Sequence, residues 1–115
     1  MGEFSQRNID NRIEVLLTSI EITVKNVNEF KGGLEKLLNS NSNYLLLDLS
    51  KTIYMNSAAL GCIADTVMKA KKLEKEIVIG GIQSTILEVF KIIKFESFVT
   101  LFTDLDEAIN YLQEK

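Results

Sequence analysis

Leu45, Leu46, Leu47 and Leu49 form a nearly unbroken apolar run, interrupted by Asp48 and closed by Ser50. A run with no polar face suits a strand covered on both sides, the kind found in the middle of a parallel sheet. Downstream, Leu60, Ile63, Ala64, Val67 and Met68 recur at helical spacing and predict one buried helix face. Between the two elements stand Asn56 and Ser57, both good helix N-caps because their side-chain oxygens accept the N–H groups that a first turn leaves unpaired. The stretch reads as strand, loop, then a helix that starts at Ser57 or one residue either side. It places a serine hydroxyl at the positive end of a helix dipole.

The rest of the chain supplies neighbours for this unit. Phe4 to Ile9 and Arg12 to Ile20 read as strands joined by a tight turn at Asp10-Asn11, making a hairpin at the sheet edge. After a polar connection at 23–28, Val27, Phe30, Leu34, Leu37 and Leu38 trace an amphipathic helix that carries Gly32-Gly33 and ends in the Asn/Ser loop 39–43. A buried strand is predicted over Ile77-Val78-Ile79. The Gly80-Gly81 pair that follows it fits no dinucleotide or P-loop pattern and reads as a backbone that bends closely over the sheet. Ser84 or Thr85 is expected to cap a helix burying Ile86, Leu87, Val89, Phe90 and Ile93, with Phe95 and Phe98 packed beneath it. A last strand, Phe98 to Phe102, leads to a helix capped by Thr103 or Asp104, with Leu105, Ala108, Ile109 and Leu112 on its apolar face. The expected fold is α/β, a mostly parallel sheet of four to five strands with an N-terminal hairpin edge and about four helices. Residues 1–115 are read as a single domain.

Composition narrows the chemistry. With 13 basic and 16 acidic residues the net charge is −3, which argues against a nucleic-acid surface. The densest basic cluster, Lys69, Lys71, Lys72 and Lys75, falls at the end of the central helix, where cations meet its dipole favourably. The chain has no histidine and one cysteine, Cys62, so neither a transition-metal site nor a disulfide is expected, and no cofactor is implied. Asp48 and Asp65 are a candidate carboxylate pair for acid–base work, the first in a strand and the second on a helix. Met1-Gly2-Glu3-Phe4-Ser5-Gln6 has no apolar signal core, and no segment approaches the ~18 apolar residues of a membrane span. A soluble, cytoplasmic protein is expected.

The Ser57 hydroxyl has two readings: a structural N-cap, or a phosphate acceptor exposed on a loop. Tyr54-Met55-Asn56-Ser57-Ala58-Ala59-Leu60-Gly61 resembles the signature of the STAS domain of bacterial anti-sigma factor antagonists, which runs aromatic-Met-Asp-Ser-(Ser or Thr)-Gly-Leu-Gly after a strand ending in Asp-Leu-Ser. The order of elements through to the terminal helix matches as well. The resemblance implies that Ser57 is the phosphorylated serine. It also implies that Asn56, Ala58, Leu60, Gly61 and Thr23 lie on the partner-binding surface. Three departures stand out: Asn56 replaces the signature's Asp, Ala58-Ala59 its hydroxyl-glycine pair, and Ile20 and Thr23 the Gly and Asp of a Gly-Glu-Leu-Asp segment.

The implied function is that of a regulatory binding module. Unphosphorylated, it would bind an anti-sigma factor that is also a serine kinase; phosphorylation of Ser57 would release it, and a cognate phosphatase would reset it. The chain itself would not be an enzyme. One alternative is a STAS scaffold or adaptor that is never phosphorylated. Another is a small-ligand-binding α/β domain using the cleft at the strand ends.

Overall fold

The computed structural model describes residues 4–115; the reading of Met1-Gly2-Glu3 as lacking a signal core lies outside them. In chain order the elements are β1 (Ser5–Ile9), β2 (Ile13–Leu17), β3 (Glu21–Ile22), α1 (Val27–Leu38), β4 (Tyr44–Asp48), β5 (Tyr54–Met55) and α2 (Ser57–Lys72). They continue with β6 (Glu76–Gly80), α3 (Ser84–Ile92), a 3₁₀ turn (Phe95–Ser97), β7 (Thr100–Leu101) and α4 (Leu105–Gln113). Asp10 and Asn11 make the first turn by taking left-handed backbone angles, φ 57° and 58°. Asp and Asn tolerate that conformation better than other non-glycine residues, so the turn closes through the Arg12 N–H to the Ile9 carbonyl at 3.0 Å.

The main sheet has the order β1-β2-β4-β6-β7, with β1 and β2 antiparallel and every other pair parallel. Its register explains the leucine run. Leu46 pairs with Val15 on one side and Val78 on the other. These three pack with Ile13, Ala108 and Leu112 in a smaller core beneath α4. Leu45 and Leu47 point the other way, into the larger core built with Phe30, Leu34, Ile63, Val67, Ile86 and Phe90 of α1, α2 and α3. The strand is apolar at successive positions because both its faces are covered. Three helices therefore share one face of the sheet and α4 holds the other.

The Gly80-Gly81 pair marks two close approaches. A Cβ on Gly80 would stand 2.7 Å from the Ala108 Cβ of α4. Gly81 has φ +70°, and a Cβ there would lie 2.9 Å from that of Ser50. The turn at Gly81 ends β6 at Gly80, so the strand extends one residue beyond the expected Ile77–Ile79 at each end.

Several local expectations are corrected. The second strand is the five residues of β2, shorter than Arg12 to Ile20. In α2 the buried residues are Ala59, Ile63, Thr66, Val67 and Ala70, whereas Met68 is 54% exposed. Met68 sits about 100° around the helix from Val67, beyond the stripe that meets the sheet. Thr66 enters the core because its hydroxyl donates to the Cys62 carbonyl at 2.8 Å. Neither Ser84 nor Thr85 caps α3: Ser84 is its first residue, and the N-cap position belongs to Gln83, which makes no capping bond. Ile93 lies past the end of α3 and is 43% exposed. Phe98 precedes a two-residue strand, but Phe90, Phe95 and Phe98 do stack, with successive centroids 4.8 Å apart. Asp104 caps α4 by accepting the Asp106 N–H at 2.9 Å. No helix among the described residues is long and apolar enough to cross a membrane.

Candidate functional site

Beyond the carboxyl end of β4 the chain loops back through Ser50, Lys51, Thr52 and Ile53 and enters β5. Here β5 runs parallel to β3, with Glu21 opposite Tyr54 and Ile22 opposite Met55. The pairing continues past the strand, since the Asn56 N–H donates to the Ile22 carbonyl at 3.0 Å. Both strands are two residues long, too short to show a period, and the sequence reading missed them.

A chain of hydroxyls fastens this ladder to the main sheet. Thr18 and Thr52 are fully buried and their hydroxyls meet. Thr52 donates to the Ser19 carbonyl at 2.6 Å, and the Thr18 hydroxyl also reaches the Asp48 carbonyl at 3.3 Å. Ser19 donates to the Glu21 carbonyl at 2.6 Å, and the Asn26 amide donates to the same carbonyl at 2.8 Å. The signal for these residues in the sequence was faint: hydroxyl side chains just past two apolar runs, a composition shared by any surface loop.

Asn56, not Ser57, caps α2. Its Oδ1 accepts the Ala59 N–H at 2.9 Å, and its carbonyl accepts the Leu60 N–H at 3.2 Å. Ser57 is the first helical residue. It is exposed, and its hydroxyl makes no hydrogen bond among the described residues. The cap is thus made without Ser57, leaving its oxygen open at the electropositive end of the helix. No acidic residue occupies the first turn of α2 to oppose an added negative charge.

The other expected site residues divide by position. Ala58 and Gly61 are exposed, and the space around a Cβ at Gly61 is open. Leu60 is half-buried against the larger core. Thr23 is half-buried, its N–H donating to the Asn26 Oδ1 at 2.8 Å, one residue past the Ile22 that bonds Asn56. Asp48 and Asp65 form no acid–base pair. Asp48 is buried and accepts the Ser50 N–H at 2.9 Å, whereas Asp65 pairs with Lys69 at 2.9 Å on the open side of α2. The Lys69 ammonium is held above its ordinary pKa by its hydrogen bond to Asp65 and then by the charge of that carboxylate. Lys75 donates to the carbonyls of Leu38 and Ser40, both at 2.7 Å, so part of the basic cluster closes the end of α1.

The model of the STAS domain matches residues 6–108. Among solved structures, an anti-sigma factor antagonist from Mycobacterium paratuberculosis has a TM-score of 0.87 at 18% identity, covering 96% of this chain and 92% of its own. A Thermotoga maritima protein assigned as an anti-sigma factor antagonist gives a TM-score of 0.83 at 18% identity, over 96% and 94%. The Bacillus cell fate determinant SpoIIAA, in its phosphorylated form, gives 0.73 at 12% identity, over 95% and 98%. At these identities the structures share the fold, and the domain match carries the assignment: this chain belongs to the STAS-domain family.

Proposed function

We propose that the protein is an anti-sigma factor antagonist that switches partners through Ser57. Unmodified, it docks the start of α2 onto an anti-sigma factor that is also a serine kinase. The kinase transfers the γ-phosphoryl group of ATP to the Ser57 oxygen: the new O–P bond forms as the bond to ADP breaks, and the hydroxyl proton leaves to a base on the kinase. A phosphatase later delivers water to the phosphorus, returning the hydroxyl and releasing inorganic phosphate. The chain acts as one domain, residues 1–115, and supplies no catalytic group.

The observation that carries this reading is the Ser57 hydroxyl, exposed and unbonded at the positive end of α2 while Asn56 makes the cap. Phosphorylation adds about −1.5 to −2 charges at that point. Turning a 1:99 population into 99:1 takes about 5.5 kcal/mol of differential affinity. A dianion desolvated in an interface without a cation to meet it costs several kcal/mol, a large part of that difference. One of the fold's neighbours, SpoIIAA, is known in phosphorylated and unphosphorylated forms, which is consistent with a switch of this kind.

The test is incubation with ATP and the anti-sigma factor kinases of the same genome, followed by intact-mass measurement of wild type and Ser57→Ala. The expected result is one phosphate on wild type and none on the variant. Phosphate on both, or on neither, contradicts the switch.

One observation favours a second reading, a fixed adaptor. Ala58 is exposed where the family signature has a hydroxyl, and Asn56 is neutral where it has a carboxylate. If the adaptor is right, Ser57→Asp leaves partner affinity unchanged; if the switch is right, it weakens binding.

A further inference from the structure

Eight large apolar side chains are exposed among the described residues, and four of them, Ile20, Val24, Ile53 and Tyr54, lie on the two segments joined by the β3–β5 ladder. Their exposures, 58%, 82%, 48% and 51%, are high for residues of this type. The backbone brings three of them together: the Ile53 N–H donates to the Ile20 carbonyl at 2.8 Å, and Tyr54 stands opposite Glu21. Ile53 is held from both ends, since its carbonyl accepts the Thr85 hydroxyl of α3 at 3.2 Å. Val24 follows two residues after Ile22, whose carbonyl bonds Asn56. In sequence Tyr54 stands three residues before Ser57, which is followed by the exposed Ala58 and Gly61.

We infer that Ile20, Ile53 and Tyr54 form an apolar docking surface continuous with Ser57, and that its occupant is the kinase of the proposed function, meeting it with an apolar face lacking a basic cluster. The inference rests on the Ser57 reading and adds the chemistry of the partner. Charge argues for that chemistry. Thr23 and Asn56 are neutral and the first turn of α2 has no acid, so Glu21 is the one carboxylate that these segments offer a basic partner face. The charged residues on these segments, Glu21, Lys25 and Lys51, are of both signs and create little long-range field. An apolar patch next to a modifiable hydroxyl also explains how one phosphate acts: its charge arrives inside a contact that offers it neither water nor a cation. Exposed contiguous apolar groups mark protein-binding sites more often than scattered ones do.

The test uses the full chain with the same genome's anti-sigma factor kinases and ATP. The triple variant Ile20→Ser, Ile53→Ser, Tyr54→Ser is expected to raise KM for Ser57 phosphorylation about tenfold or more, the loss typical of removing apolar anchors, with kcat unchanged. Wild-type affinity is expected to change less than about threefold between about 0.05 and about 0.5 M salt, because apolar contacts are not screened. The salt titration decides the matter if the variant fails to fold. An unchanged KM in a folded variant, or a more than tenfold loss of affinity with salt, overturns the apolar surface while leaving Ser57 as the switch. Wild type that is neither bound nor phosphorylated by any of the kinases overturns the switch and the occupant together.

Discussion

The five-stranded sheet lies between two apolar layers, whereas the two-residue ladder β3–β5 is fastened to it by side-chain hydroxyls. Leu46 and Leu47 meet hydrocarbon on opposite faces of one strand and are fully buried. Ile22 and Met55 of the ladder are buried as well, but Glu21 and Tyr54 beside them face outward. Apolar burial is non-directional and tolerates small shifts, whereas hydrogen bonds fix both distance and orientation. The region proposed to meet a partner is therefore thin in packing and dense in directional bonds, a construction that can present exposed apolar groups without letting them collapse inward.

The largest break in that contrast is expected in the main sheet. Leu47→Ala removes a fully buried side chain from the larger core and should cost about 2–5 kcal/mol in urea denaturation. The folded fraction should still accept phosphate at Ser57 at the ordinary rate. Thr52→Val comes next: it strands the Ser19 carbonyl, leaves the Thr18 hydroxyl only its longer bond to the Asp48 carbonyl, and should cost about 1–3 kcal/mol. Unlike Leu47→Ala, it should also speed hydrogen exchange at the Asn56 amide more than at the strands of the main sheet, and Thr52→Ser should restore both. Loss of the cap in Asn56→Ala should cost about 1 kcal/mol, read as a lower denaturation midpoint, while Asn56→Asp should keep the cap. Smallest is Asp65→Ala, which removes an exposed ion pair with Lys69 and should shift stability by less than about 1 kcal/mol.

The same contrast decides what was legible in the sequence. Elements that bury apolar surface write their pattern into the chain: the Leu45–Leu49 run placed the centre of the main sheet, and the stripes of α1 and α4 placed helices packed on it. Turn chemistry placed the hairpin, because Asp10 and Asn11 are residue types suited to positive φ. The ladder left no such trace, since two residues cannot establish an alternation. Its fastening by Thr18, Ser19 and Thr52 depends on contacts across 33 or 34 positions, Ser19 to Thr52 and Thr18 to Thr52. Ser57 was legible as a helix-start hydroxyl, but which of two adjacent good caps would serve was not. The geometry gave the cap to Asn56, and that choice frees the serine. Met68 and Ile93 were misplaced for a simpler reason: apolar identity at roughly helical spacing does not say where the helix stripe ends.

Whether charge at Ser57 ends the partner's hold is read from the affinity of one anti-sigma factor kinase for the unmodified and the Ser57-phosphorylated protein, measured by calorimetry in the same buffer. Weakening of about a hundredfold or more, equivalent to about 2.7 kcal/mol, is the expected result. Equal affinity for the two forms would contradict it.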